Sequence, residues 1–115
     1  MGEAGLVARG VRRGEIWLYE FKPPDKRRPV LVLTRPEVID LLPTVMVAPI
    51  TSAIRGAPSE VVVGVDEGLK APSAVNLDHV QTVEKQLLRR YVGALSAEKM
   101  VRVCEALRVA TGCGQ

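Results

Sequence analysis

Val30-Leu31-Val32-Leu33 has no polar residue to turn toward water, so as a strand it can only be buried. Pro29 fixes the backbone at its start, and three cations, Lys26, Arg27 and Arg28, stand immediately before it. A second apolar run, Thr44-Val45-Met46-Val47-Ala48-Pro49-Ile50, follows and leads into Thr51-Ser52. A cationic cluster at the mouth of a strand that must be internal reads as an anion site carried on a rigid scaffold.

The remaining chain is punctuated in the same way. Glu15 to Phe21 alternates polar and apolar residues after Gly14, the pattern of a half-buried strand. Pro23-Pro24 makes the next segment a loop, because proline cannot donate to a ladder. Pro36 suits the first turn of a short helix reaching Leu42. Further strands are expected over 60–65, 72–77 and 80–85, separated by Gly- and Pro-bearing loops. Short strands at this spacing predict a compact barrel or strongly curled sheet rather than βαβ units. The period then changes: Ser96 is a good N-cap, Glu98 lies in the first turn, and Met100, Val103, Cys104 and Leu107 recur at helical spacing up to Gly112. Cys104 is expected to be a buried small hydrophobe and Cys113 exposed near the end.

The chain's 115 residues and 47% hydrophobic content allow one domain with a real core. Residues 1–11 read as a flexible lead-in and 12–112 as the domain. Sixteen Lys and Arg against thirteen Asp and Glu leave a net charge of +3, so placement of charge matters more than its total. Arg9, Arg12, Arg13, Lys22, Lys26, Arg27, Arg28, Arg35 and Arg55 fall in the first half, which points to the N-terminal strands and loops as the face for a polyanion. Two cysteines without histidine or cysteine neighbours at ligand spacing argue against a disulfide framework or a metal site, and a reducing cytoplasm fits. No run approaches the length of a membrane span.

Several blocks occur in a familiar order: Arg13-Gly14-Glu15-Ile16-Trp17, Arg28-Pro29-Val30-Leu31-Val32-Leu33, Val47-Ala48-Pro49-Ile50-Thr51-Ser52, Ser73-Ala74-Val75-Asn76-Leu77-Asp78, Thr82-Val83-Glu84-Lys85 and Gly93-Ala94-Leu95-Ser96. In this order the chain resembles the MazF/PemK-type toxins of bacterial toxin–antitoxin systems. The resemblance implies a mainly β fold with short helices (α+β), an SH3-like small barrel with a C-terminal amphipathic helix. It implies a homodimer that cuts single-stranded RNA sequence-selectively, with no metal and no cofactor. It implies neutralisation by an antitoxin whose acidic C-terminal segment lies over the RNA site, with a toxin–antitoxin heterohexamer among the assemblies.

The resemblance carries the two catalytic positions onto Arg28 and Thr51. Cleavage without a metal recruits the neighbouring 2′-hydroxyl, so the protein must stabilise a pentavalent phosphorane and manage two protons. Arg28 suits the first task, since its planar fork bridges phosphate oxygens. It is a poor acid. The loop before it is shorter than in many relatives, and Asp25 is its one carboxylate. Asp25 and the lone histidine, His79, are therefore candidates to assist, with base recognition or a structural role favoured for His79.

Lys26 and Arg27 are expected to steer phosphates. Trp17, Ser52, Arg55, Asn76 and Gln81 are candidate RNA contacts. Trp17 and Tyr19 share a strand face and either pack in the core, the favoured reading, or stack bases. Two other classes compete: a topoisomerase poison on the same fold, and an inactive homologue that only binds RNA or antitoxin. A poison would want aromatic or apolar anchors on the final helix, which ends Val109-Ala110-Thr111-Gly112 without an aromatic.

Overall fold

The computed structural model describes residues 10–22 and 26–114. The expected lead-in, apart from its last two residues, and Asp25 lie outside them. The described strands are β1 (Glu15–Glu20), β2 (Arg27–Val32), β3 (Thr44–Thr51), β4 (Glu60–Val63), β5 (Ser73–Asn76), β6 (Gln81–Glu84) and β7 (Leu88–Ala94). Among the described residues two α-helices accompany them, α1 (Pro36–Ile39) and α2 (Ala97–Thr111).

The strands form one antiparallel sheet in the order β4-β5-β3-β2-β1-β7, with β6 paired to the first half of β3. The sheet does not close, so the expected barrel is corrected to an open sheet whose terminal strands, β4 and β7, do not pair with one another. Short strands ending in loops allow strong curvature without completing the ladder.

β2 is central and buried on both sides. Leu31, with Leu33 just past the strand, joins Ile16, Ala48, Ile50, Val61, Val63, Val75, Leu77 and Leu95 on one face, where Val103 and Ala106 of α2 cover them. Val30 and Val32 join Val45, Val47, Val83, Leu88 and Ile39 on the other, with Trp17, Tyr19 and Phe21 packed against them. Alternation along β2 thus feeds two cores at once, which is why the run needs no polar residue.

Ser96 caps α2, its hydroxyl accepting from Lys99 N at 3.1 Å, and Gly112 ends the helix in the left-handed region. The buried stripe is centred on Val103 and Ala106, with Met100, Leu107 and Ala110 partly covered. Cys104 is exposed, contrary to expectation: it lies on the flank of that stripe, where the Arg13 guanidinium reaches its Sγ at 3.4 Å. The same guanidinium donates to the Leu33 carbonyl, tying the turn before β1 to the end of β2.

Candidate functional site

The β2–β3 register sets Val32 opposite Val47 and Val30 opposite Pro49. The ladder ends at that pair; Arg28 on β2 and Thr51 on β3 each lie two residues beyond it and keep the parity of Val30 and Pro49. Directly opposed residues of an antiparallel pair project to the same face. That face is the one holding Val30, Val32 and Val47, not the face covered by α2.

Neighbouring strands extend it. Tyr19 is opposite Arg28 on β1, and Trp17 is opposite Val30. Thr51 is opposite Ala74 on β5, and Asn76 shares the parity of Ala74. Gln81 of β6 is opposite Val47. Arg28, Thr51, Asn76, Gln81 and Trp17, picked out separately along the chain, therefore share one sheet face. Arg28 and Gln81 are exposed, whereas Thr51, Asn76 and Trp17 are half-buried.

The hydrogen bonds define what these groups offer. Thr51 Oγ1 accepts from Ala53 N at 3.1 Å, which shapes the loop after β3 and leaves the hydroxyl proton to donate elsewhere. Asn76 Oδ1 accepts from Asp78 N at 2.9 Å, so its amide nitrogen points the other way, 3.0 Å from His79 Nδ1. In that arrangement His79 Nδ1 accepts and the ring proton sits on Nε2. His79 is itself exposed, at the end of the 3-10 turn Leu77–His79. Asp78, which the sequence reading left aside, accepts from the buried Ser59 hydroxyl at 2.5 Å.

Trp17 is engaged within the fold. Its Nε1 donates to Glu15 Oε1 at 2.9 Å, and its ring meets Tyr91 edge-on at 5.9 Å between centroids. Tyr19 stacks edge-on with Phe21 at 4.7 Å. Burial, and secondarily the Glu84 carboxylate, push the Tyr19 phenol above its ordinary range, so it stays a neutral donor beside Arg28. Ser52 and Arg55 are exposed in the loop after β3, where Arg55 N and Gly56 N both donate to Glu60 Oε1.

The cation cluster divides. Arg27 is opposite Glu20 and pairs with it at 3.5 Å, so it projects to the opposite face from Arg28. Lys26 is exposed just before the strand. Among the described residues, no group of three or more His, Cys, Asp or Glu is placed to hold a metal ion.

Residues 12–111 match the family described as PemK-like, MazF-like toxin of type II toxin–antitoxin system. The Mycobacterium tuberculosis protein named "Probable endoribonuclease MazF5" is 43% identical over 105 residues, which cover 90% of this chain and 94% of that protein. The solved Mycobacterium tuberculosis toxin MazF-mt6 superposes with a TM-score of 0.81 at 39% identity, over 88% of this chain and 99% of the other. A mycobacterial endoribonuclease solved with its cognate antitoxin shares the fold, with a TM-score of 0.82 at 23% identity over 92% of this chain and 99% of its own. The chain belongs to the PemK/MazF-like toxin family of type II toxin–antitoxin systems.

Proposed function

We propose that this toxin, a MazF-type endoribonuclease, cleaves single-stranded RNA by in-line attack of the 2′-hydroxyl on the adjacent phosphorus. The bond from phosphorus to the 5′-oxygen breaks, leaving a 2′,3′-cyclic phosphate and a 5′-hydroxyl. One proton leaves the 2′-oxygen, and the departing 5′-oxygen takes another from solvent water. Arg28 stabilises the charge that builds on the phosphorane oxygens. Thr51 donates a hydrogen bond from its hydroxyl to the same group and keeps its proton. Asp25 is the proposed acceptor of the 2′ proton, and no metal or cofactor takes part.

The observation that supports this reading is that Arg28 and Thr51, each two residues beyond the last β2–β3 pair, have the parity of one sheet face, to which Asn76 and Gln81 also belong. Asn76, Gln81 and His79 read base edges there, His79 through its Nε2–H. Ser52 and Arg55 contact the chain from the loop after β3, and Trp17 offers its half-exposed ring at the rim. The substrate is messenger RNA in the first instance, with ribosomal and transfer RNA as further targets, and cleavage arrests translation and growth.

A homodimer is the proposed active form, held in check in the cytoplasm by a cognate antitoxin whose acidic C-terminal segment covers the cationic site, up to a heterohexamer. Among the described residues no helix is long and apolar enough to cross a membrane. The test is incubation of the purified protein with a long RNA in EDTA, followed by mapping of 5′ ends. Discrete cuts bearing 5′-hydroxyls, lost in Arg28→Ala, are expected. Intact RNA, or the same cuts from the variant, overturns the reading.

A further inference from the structure

Glu20 Oε1 sits between two guanidinium groups, Arg89 Nε at 3.1 Å and Arg27 NH2 at 3.5 Å. The strands explain the arrangement. Glu20 is opposite Arg27 across β1 and β2, while the β1–β7 register passes from Leu18 opposite Arg90 to Tyr19 opposite Leu88. Arg89 is the extra residue of that irregularity, and a bulged residue is free to re-aim its side chain. All three side chains are about half exposed, at 43–51%. Exposed pairs of this kind contribute little to stability, so a better anion displaces the carboxylate easily.

The surroundings are more cationic than one carboxylate balances. Lys22, Lys26 and Arg90 are exposed in the chain segments next to Glu20, Arg27 and Arg89, and none has an ion-pair partner among the described residues. The trio also lies on the face opposite Arg28, separated from it only by the end of β2. An RNA strand held at Arg28 carries a phosphate at every nucleotide, so a neighbouring segment can cross that end and continue past Arg27 toward β7.

We propose that Arg27 and Arg89 form a second phosphate seat, for a phosphodiester of the RNA outside the cleaved bond, and that Glu20 occupies this seat in the free protein. The proposal rests on the RNA reading above and adds to it where flanking RNA runs. Each guanidinium fork that now faces a carboxylate oxygen would face a non-bridging phosphate oxygen instead. RNA is favoured over an acidic peptide because Arg27 is the next residue to Arg28 on β2, so one strand held at Arg28 can reach both.

The experiment compares two RNAs built around one mapped cut, each with a 2′-deoxy nucleotide at the cut so that it binds without reacting. One is just long enough to fill the Arg28 face and the other extends on both sides to about 20 nucleotides, enough to cross the strand end. Affinities are read by anisotropy across a salt series. Arg89→Ala is expected to lower the ratio of long to short affinity about 3–10-fold and to reduce the salt slope for the long RNA by about 0.7, one phosphate contact. Glu20→Gln is expected to raise that ratio, because it removes the competing charge while keeping the side chain's shape.

The sign of the Glu20→Gln effect is decisive. A merely structural trio would give loss or no change, and either outcome overturns the proposal. Weaker antitoxin binding by Arg89→Ala with an unaltered RNA ratio also overturns it and assigns the seat to protein. If the wild type neither binds the short RNA nor cuts its all-ribose form, the RNA reading itself fails and takes this inference with it.

Discussion

Gly68 and Gly93 lie backbone to backbone: a Cβ built on Gly93 comes within 3.3 Å of the Gly68 Cα, and one built on Gly68 within 3.4 Å of the Gly93 Cα. Gly68 ends the 3-10 turn Val65–Glu67 at φ +93°, and Gly93 belongs to β7. A Cβ on Gly93 would also reach the Glu67 carbonyl carbon at 2.8 Å, and backbone cannot rotate away as a side chain can. Gly93→Ala is therefore expected to destabilise the fold by about 3 kcal/mol or more, read as a fall in denaturation midpoint. Gly56→Ala is the control. Gly56 has φ +74° but open space around its Cβ position, so a loss of only about 1 kcal/mol is expected there.

The same turn presents Glu67 to α2. Glu67 is buried, its Oε1 accepting from Gly64 N and its Oε2 from Lys99 Nζ, both at 2.7 Å. Burial alone pushes its carboxyl upward. The hydrogen bonds from Lys99 and Gly64 and the Lys99 charge outweigh that and hold it below its ordinary value of 4.5. A carboxyl whose pKa is depressed by folding stabilises the native state above its unfolded pKa, and that stability is lost as pH falls through the folded value. Stability of the wild type is expected to decline below about pH 4.5, with a shallower decline in Glu67→Gln. Lys99→Met strips the buried carboxylate of its counter-charge, at a cost of roughly 1–3 kcal/mol at neutral pH, less than for a fully enclosed pair because Lys99 is 27% exposed. Chemical denaturation from pH 3 to 8 reads both.

How far these features were legible in the sequence depends on whether they are local. β1 to β6 announce themselves by alternation, proline and glycine, and α2 by its cap and period. β7 did not, because Leu88-Arg89-Arg90-Tyr91-Val92 puts two arginines in the first half of a strand that, among the described residues, is hydrogen-bonded on one side only. Closure of the sheet is a property of its two ends, and no residue within β4 or β7 encodes whether they meet. The helix stripe was read one position off at Cys104, since the period fixes a stripe's spacing while its rotation is set by what α2 packs on. The Gly68 and Gly93 contact joins residues far apart in sequence. At the candidate site, Arg28 and Thr51 were each legible as loop-end residues. The split of Arg27 from Arg28 follows from period two once both are known to be in β2 rather than in the loop before it.

That split makes adjacent arginines distinguishable by experiment. Arg28→Ala is expected to lower the single-turnover cleavage rate about 10²–10³-fold, the loss seen when one donor to a developing charge is removed. Arg28→Lys restores only part of it, because a point charge replaces a planar fork. Arg27→Ala is expected to act on affinity for long RNA, leaving the rate at saturating RNA within about threefold of the wild type. Thr51→Ser keeps the hydroxyl and most of the rate. Thr51→Ala loses both the donor and the bond from Ala53 N, so its rate falls while the fold, read by thermal melting, shifts by about 1 kcal/mol or less. Equal single-turnover rates for Arg27→Ala and Arg28→Ala would remove the proposed division of labour.

His79 tests whether the site needs an imidazole or only a donor. Asp78 N anchors Asn76 Oδ1, which commits the Asn76 amide group to His79 Nδ1 and leaves Nε2–H as the ring's outward group. A donor at that place can read a base or a phosphate oxygen, but a ring whose accepting nitrogen is already occupied is poorly arranged to take the 2′ proton. His79→Gln retains an N–H donor of similar reach. It is expected to keep the cleavage rate on the preferred RNA within about tenfold while shifting preference among sites, since a lost base contact is worth roughly 1–3 kcal/mol. Asn76→Ala frees the ring and is expected to broaden site selection further. A loss in His79→Gln as deep as that of Arg28→Ala, with preference among sites unchanged, would make His79 a proton-transfer group instead.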